Sequence, residues 1–202
     1  MDLPLPSTFH RELSAERLNL IASWLLEEYY ATQEDLVRDT DSSYTRGCTA
    51  FGRQRGRIMK EAASLKYSWL SIKGAGNDLV FGIGHVPCRY SNDDPDNPKK
   101  DAVLVANQHQ LPFLDFEDDL APTRFCFVLD KGLEGVTDAH VELLGYTGAG
   151  TLVSRWISSN VRTLHAVNDQ KLSSAVPVGK PVLAPKRRDA ANGDDNVVAP
   201  QS

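Results

Sequence analysis

Histidine and cysteine residues in the middle of the chain are of the types that bind zinc. They are His85, Cys88, Cys126 and His140, and zinc requires three or four such nitrogen or sulfur ligands in a tetrahedral arrangement. Because His85 and Cys88 are three residues apart, a regular strand would point their side chains to opposite faces. A bulge at Pro87 could bring them together. The spacing instead favours a packed cysteine and a surface or hydrogen-bonded histidine, and we expect no metal ion and no cofactor.

Acidic connections could offer oxygen ligands to a hard cation such as calcium or magnesium. In residues 91–98 these are Asp93, Asp94 and Asp96, but the glycine and the distal glutamate of an EF-hand loop are both missing. Aspartate is also a common turn residue. We therefore interpret these residues as a solvated loop that could contact a partner. The connection over residues 112–122 has the same character and contributes Asp115, Asp118 and Asp119.

Motifs of nucleophilic catalysis and phosphate binding are absent from the sequence. There is no G-x-S-x-G and no P-loop pattern. A metal-dependent nuclease or hydrolase would combine acids and a lysine on neighbouring strands. Asp78, Lys100 and Asp101 could be arranged in this way, although their spacing does not require it.

The strongest charge pattern lies between residues 46 and 66, where six cations accompany a single anion. Arg53, Arg57 and Lys60 follow an i, i+4, i+7 spacing, so they share one face of a helix. We call these three residues the basic face. The arginines expected to lie away from its centre are Arg46 and Arg55.

The basic face has several interpretations. It could bind the phosphates of a nucleic acid, an acidic partner or the acidic connections of this chain, and it could also be a solvated or internally paired surface. Residues 67–142 contain 13 anions and six cations, so negative charge is concentrated outside the basic face. Aromatic residues, which single-strand binding favours, do not interleave with these cations. We therefore predict that the basic face and the acidic connections contact another protein.

The composition excludes several classes of protein. The 202 residues carry a net charge of −5 and are 41% apolar, as in an ordinary globular domain, and the acidity argues against a general coat for nucleic acid. No run of 18 apolar residues predicts a membrane span, and the first residues lack the basic region of a secretory signal. Three cysteines fit a reducing compartment better than a disulfide framework. We expect a cytoplasmic protein without a membrane segment.

An N-terminal helical pair should position the basic face. Helical spacing of apolar residues predicts a helix over residues 15–31 with Ser14 as its N-cap. A stripe with a seven-residue period predicts one long helix over residues 33–65, and a break near residues 42–47 is the alternative. The stripe consists of Val37, Tyr44, Phe51, Ile58 and Leu65. Close packing against a neighbour would account for the glycines in this helix, Gly47, Gly52 and Gly56.

The rest of the chain predicts a mainly antiparallel sheet covered on one face by the helices, an α+β fold. The predicted strands are residues 69–72, 78–89, 102–106, 124–129, 140–146, 151–157 and 161–167. Cys126 lies between Phe125 and Phe127, so we expect it on the opposite face as a small buried residue.

The predicted organisation is one domain with an extension at each end. Residues 1–13 form an N-terminal arm, residues 14–66 the helical pair, and residues 67–168 the sheet region of the same domain. Residues 169–202 combine frequent proline with low hydrophobicity, which predicts a flexible, disordered tail.

Three functions remain open on this evidence. The first hypothesis is a non-catalytic cytosolic interaction module, such as an adaptor, inhibitor or regulatory subunit, that binds another protein through the separated basic and acidic surfaces. The second is a nucleic-acid-associated regulator that uses the basic face. The third is a metal-dependent hydrolase or nuclease that uses acids of the sheet region.

Overall fold

A computed structural model describes residues 3–110, 121–132 and 137–159 of the chain. The predicted strand over residues 161–167 and the predicted tail lie outside these residues. The helices are α1 (Pro6–Phe9), α2 (Ala15–Asp35), α3 (Ser43–Ala63) and α4 (Asp101–Leu104). The strands are β1 (Leu70–Gly74), β2 (Val80–Ile83), β3 (Val86–Asn92), β4 (Arg124–Asp130), β5 (His140–Tyr146) and β6 (Leu152–Ile157). The fold is α+β, as predicted.

The six strands form one open sheet in the order β1 to β6. All neighbours are antiparallel except β3 and β4, which pair in parallel with Tyr90 opposite Phe127. A parallel pair needs a crossover of a dozen or more residues, and residues 93–123 provide it, with α4 inside the crossover. The sheet is therefore mixed but mainly antiparallel.

Helix α2 forms because one side of it is continuously apolar. Leu18, Ile21 and Leu25 are at most 1% exposed and pack into the main core. Glu16 in the first turn suits the positive end of the helix dipole. The predicted helix is confirmed and extends four residues further, to Asp35.

The predicted long helix over residues 33–65 is wrong, because residues 36–42 separate α2 from α3. Polar side chains make the break: Asp41 Oδ2 accepts a hydrogen bond from the Arg38 amide (2.9 Å), and Ser42 Oγ accepts one from the Thr45 amide (3.1 Å). The second contact is an N-cap, which starts α3 at Ser43. The break therefore falls just before the alternative position predicted for it.

The seven-residue stripe is buried only in its central part. Ile58 is fully buried and Phe51 packs against the core, whereas Val37, Tyr44 and Leu65 are 73%, 79% and 84% exposed. Val37 lies in the link between the helices and Leu65 lies beyond the end of α3, so neither can continue the stripe.

The glycines of α3 do not mark close packing, contrary to the prediction. A Cβ atom placed at Gly47, Gly52 or Gly56 would meet no heavy atom within 4 Å. These three positions face open space.

Two predicted strands differ from the structure. Residues 78–89 are a hairpin of β2 and β3 instead of one strand, since the chain reverses at Gly84, whose φ of 61° favours glycine. Residues 102–106 do not form a strand, because Asp101–Leu104 is a single helical turn. The predicted strands that correspond to β1, β4, β5 and β6 are confirmed.

The sheet separates two apolar clusters. The helices α2 and α3 cover the face that carries Phe81, Phe125 and Phe127. The opposite face carries Cys126, and a smaller cluster there includes Val103 of α4, so the predicted position of Cys126 is confirmed. Because both faces are covered, β3 is buried along its whole length.

The N-terminal arm lies along the outer strand β6. The carbonyl oxygen of Pro4 accepts hydrogen bonds from Ser154 Oγ (2.9 Å) and from the Arg155 amide (3.3 Å). These contacts occupy part of an edge that would otherwise present unpaired backbone groups. In the part of the chain that the structure describes, no helix has the length and apolarity needed to cross a membrane.

Candidate functional site

The basic face is directed at the acidic residues of α2 and is largely paired with them. Arg53 Nη1 lies 2.6 Å from Asp35 Oδ2. Arg57 Nη1 lies 3.4 Å from Glu27 and 3.6 Å from Glu28, and Arg57 Nε lies 2.8 Å from Glu61. The pairs with Asp35, Glu27 and Glu28 join the two helices, and the pair with Glu61 lies within α3. The charge of both arginines is therefore mostly compensated within the fold.

Lys60 is the exception on the basic face. It is exposed, and it has no ion-pair partner among the described residues. Arg46, which we expected to lie away from the centre of the basic face, precedes Arg53 by seven residues, or two turns of about 10 Å in total. It therefore lies on the same flank of α3 and continues the row of cations toward the start of the helix.

The acidic loop after β3 uses its aspartates to fix its own backbone. Asp93 Oδ2 accepts hydrogen bonds from the amides of Lys99 and Lys100, both at 2.9 Å. Asp94 Oδ1 accepts one from the Asp96 amide at 2.9 Å, and the Asp96 carboxylate pairs with Arg155 Nη1 at 2.9 Å. The tendency of aspartate side chains to accept hydrogen bonds from nearby backbone amides in turns explains why Asp93 and Asp94 occur in this loop. The other three acidic candidates, Asp115, Asp118 and Asp119, lie outside the described residues.

The histidine and cysteine candidates do not converge. His85 lies in the turn after β2 and its side chain is 59% exposed, whereas Cys88 is fully buried. Within residues 3–110, 121–132 and 137–159, no three His, Cys, Asp or Glu side chains are grouped so that they could hold a metal ion. Burial raises the pKa of Cys88 well above its usual range and raises the pKa of Cys126 to about 12, so both thiols are protonated near neutral pH.

The acids of the hydrolase hypothesis surround an arginine. The buried guanidinium of Arg89 pairs with the Asp78 carboxylate and donates to the carbonyl oxygen of Asp101 at 3.4 Å. Asn107 Nδ2 donates to the other Asp78 oxygen at 2.7 Å. The ammonium group of Lys100 donates to the carbonyl oxygen of Asn92. Arg89 thus occupies the position next to Asp78 that a catalytic cation would need.

A buried charge cluster on the same face of the sheet was missed by the sequence analysis. Glu142 is 1% exposed, and Arg155 of the neighbouring strand binds both of its oxygens, at 2.5 and 2.8 Å. His140 Nε2 lies 3.1 Å from Glu142 Oε1. The available signal was the His-x-Glu spacing in β5, which places both side chains on one face.

A groove of about 770 Å³ opens where the two long helices meet the chain between β4 and β5. Its walls include Tyr29, Gln33 and Leu36 from the end of α2 and the following link, Arg46 from the start of α3, and Lys131 after β4. This size is typical of ligand sites in proteins. Sequence reasoning did not find the groove, because three distant segments form it.

A smaller cavity of about 190 Å³ adjoins this groove and shares four of its lining residues: Tyr29, Gln33, Arg46 and Lys131. The α3 residues Ser43, Gly47 and Ala50 complete its described wall. Arg46 Nη1 donates to the carbonyl oxygen of Asp41 at 2.6 Å, which fixes the guanidinium at this wall. Arg46 and Lys131 therefore line the same small cavity.

Comparison of the chain with family models, curated proteins and solved structures finds no match. The chain's own side chains are thus the basis for any functional conclusion.

Proposed function

We propose that this chain is a non-catalytic protein-interaction module, and that another protein docks at the groove between α2, α3 and the chain after β4. The observation that carries the proposal is the groove itself, with Arg46 and Lys131 in its walls. Asp138 is the acidic residue among its described lining residues, so these side chains leave the groove net positive. A partner segment with negative charge is the complementary ligand.

Apolar and aromatic side chains in the wall of the groove support protein docking. Val37 lines the groove and is 73% exposed, and Tyr29 and Tyr30 also line it. Large apolar groups next to polar ones are typical of surfaces that bind proteins, where aromatic residues often contribute most of the affinity. The partner segment is therefore expected to combine acidic and apolar residues.

The basic face has a secondary role in this proposal. Arg53 and Arg57 stabilise the helical pair, while Lys60 stays exposed and can steer an acidic partner toward the flank that leads to Arg46. The internal pairing of Arg53 and Arg57 weakens the nucleic-acid hypothesis, since paired cations have less charge to offer phosphates.

The chemistry of the buried groups supports binding over catalysis. Two thiols are held protonated, and Glu142 is engaged by Arg155 and His140. All three cysteines are free thiols, which fits the reducing cytoplasm in which we expect the module to act.

The decisive experiment compares two substitutions of exposed apolar residues by aspartate. A tagged chain captures its partner, and the affinity of the purified partner is then measured for the wild type, Val37→Asp and the control Leu65→Asp, which lies beyond the end of α3 and is 84% exposed. Val37→Asp should weaken binding about tenfold or more, and Leu65→Asp less than about twofold. Equal affinities of the partner for the wild type and Val37→Asp would exclude the groove as the docking site.

A charge variant separates the two classes of partner. Lys60→Glu removes an exposed cation without breaking the ion pairs between α2 and α3, and it should slow association with an acidic protein in a salt-dependent way. Binding to nucleic acid that falls log-linearly and steeply with salt would instead support the second hypothesis.

A further inference from the structure

We propose that the 190 Å³ cavity between α2, α3 and Lys131 is a recognition site for a phosphate monoester carried by the partner protein. This inference rests on the proposed function, because it names the chemical group that the docked segment would place in the cavity. It concerns the cavity that adjoins the groove, which neither the basic face nor the acidic connections include.

The cavity wall combines apolar surface with several hydrogen-bond donors, and its described residues include no acidic group. Arg46 and Lys131 contribute positive charge, and Gln33 and Ser43 contribute an amide and a hydroxyl. Asp138 lines the larger groove but not this cavity. Four polar side chains from three separate segments therefore converge on one small volume.

Neither cation is neutralised by the described part of the chain. Arg53, Arg57, Arg89 and Arg155 each have a carboxylate within 4.0 Å, whereas Arg46 and Lys131 have none among the described residues. Arg46 is held by the neutral carbonyl of Asp41, which orients the guanidinium but leaves its charge uncompensated.

The charge of the cavity selects the ligand class. A phosphate monoester carries a charge of about −1.5 to −2 at pH 7 and three acceptor oxygens, which matches two cations and the neighbouring donors. A carboxylate carries a single charge and would leave one cation unmatched. Phosphoserine or phosphothreonine in the partner segment is thus the expected ligand.

Gly47 supplies a test that does not alter charge. It lines the cavity, and a Cβ atom added there meets no heavy atom within 4 Å, so the position has room for a side chain, and leucine there would occupy space in the cavity. Gly52 also faces open space in the same helix but does not line the cavity. Gly47→Leu and Gly52→Leu are therefore a matched pair with the same gain in helix propensity.

The experiment titrates the full-length chain with O-phosphoserine, inorganic phosphate, acetate and adenosine monophosphate, with binding followed by calorimetry. O-phosphoserine and phosphate should bind, and acetate should bind at least about tenfold more weakly because it has fewer charge-assisted hydrogen bonds. Arg46→Gln and Lys131→Gln should each weaken phosphate binding about tenfold. The control is Lys99→Gln, at an exposed lysine that lines neither the groove nor the cavity, and it should leave phosphate binding within about twofold. Gly47→Leu should abolish binding and Gly52→Leu should preserve it.

Three results would overturn the inference. They are unchanged phosphate binding in Gly47→Leu, an equal loss in Lys99→Gln and Lys131→Gln, and acetate binding as tight as that of phosphate. Tighter binding of adenosine monophosphate than of O-phosphoserine would contradict the assignment to a phosphorylated partner protein and would identify the ligand as a nucleotide. Thermal unfolding of each variant checks that it folds. If Arg46→Gln disturbs the link at Asp41, Gly47→Leu still tests the cavity, because it leaves the Arg46 side chain unchanged.

The two proposals fail in different ways. If Val37→Asp leaves partner affinity unchanged, the docking proposal fails, whereas the phosphate titration needs no partner and stands by itself. If phosphate does not bind but Val37→Asp still weakens the partner, the groove remains a docking site and only the phosphate assignment is lost.

Discussion

The rings of His10 and His85 meet edge to face, with their centroids 5.8 Å apart and their planes inclined at 76°. This contact joins the N-terminal arm to the turn between β2 and β3. Glu12 lies beside both histidines, with its Oε1 3.4 Å from His85 Nδ1, and the His10 ring also contacts Phe125 edge to face at 5.6 Å. Burial, together with the neighbouring His85, lowers the pKa of His10 below its ordinary 6.5, although Glu12 and the carbonyl of Pro122 oppose this shift.

The first prediction is a loss of stability at mildly acidic pH. Because the pKa of His10 is lower in the folded chain, the unfolded chain binds more protons as the pH falls through about 6.5. The stability that comes from neutral His10 is therefore complete above this pH and is lost below it. Thermal unfolding at a series of pH values between about 7.5 and 5 should show a falling melting temperature.

The control for this prediction is His10→Phe, which keeps an aromatic ring against Phe125 but cannot titrate. Its melting temperature should depend less on pH in the same window. Identical pH profiles for the wild type and His10→Phe would show that other groups cause the acid sensitivity.

The second prediction concerns the ion pair between buried Glu142 and partly exposed Arg155. Glu142→Gln should lower the free energy of unfolding by about 1–3 kcal/mol, because Arg155 then loses its buried charged partner and keeps only the exposed Asp96 carboxylate. The double variant Glu142→Leu, Arg155→Met removes both charges and should cost less than the single change. Urea unfolding measures both; a larger loss in the double variant would contradict this account.

The third prediction separates the two arginines of the basic face. Arg57 contacts three glutamates and its side chain is 28% exposed, whereas Arg53 has one partner, Asp35, whose side chain is 60% exposed. Arg57→Ala should therefore cost about 1 kcal/mol and Arg53→Ala less than about 0.5 kcal/mol. The difference should shrink at about 0.5 M salt, since salt screens charge interactions. Equal losses that do not respond to salt would assign both effects to helix packing.

Helix α2 was predictable because its stability comes from a repeating contact. Leu18, Ile21 and Leu25 recur at the helical period and all three are buried, so sequence period and packing agree. The start of α3 was harder to place, since the seven-residue stripe runs through the link. Two local polar contacts, at Asp41 and Ser42, outweigh that pattern.

Features that depend on distant segments could not be predicted from the sequence. The parallel pairing of β3 with β4 depends on a crossover that contains a single helical turn where an extended strand was expected. Arg89 is buried because Asp78 and the carbonyl oxygens of Asp101 and Val105 reach it from other segments. None of these three partners is close to Arg89 in the chain. The groove could not be predicted for the same reason, since segments that are distant in the chain form it. Its two cations, Arg46 and Lys131, are 85 positions apart.

The final prediction concerns Leu65, which follows the last turn of α3 with a φ of 56°. A left-handed backbone conformation costs a residue with a Cβ atom about 1 kcal/mol, whereas glycine adopts it freely and is the usual residue after a helix. The Leu65 side chain is 84% exposed, so its removal loses little buried surface. Glycine also gains entropy in the unfolded chain, which offsets part of the benefit. Leu65→Gly should therefore raise the free energy of unfolding by about 0.5 kcal/mol, and Leu65→Ala, which keeps the Cβ atom, should change it by less. Urea unfolding of the two variants decides the question: if Leu65→Gly is less stable than Leu65→Ala, the left-handed conformation after α3 is not a source of strain.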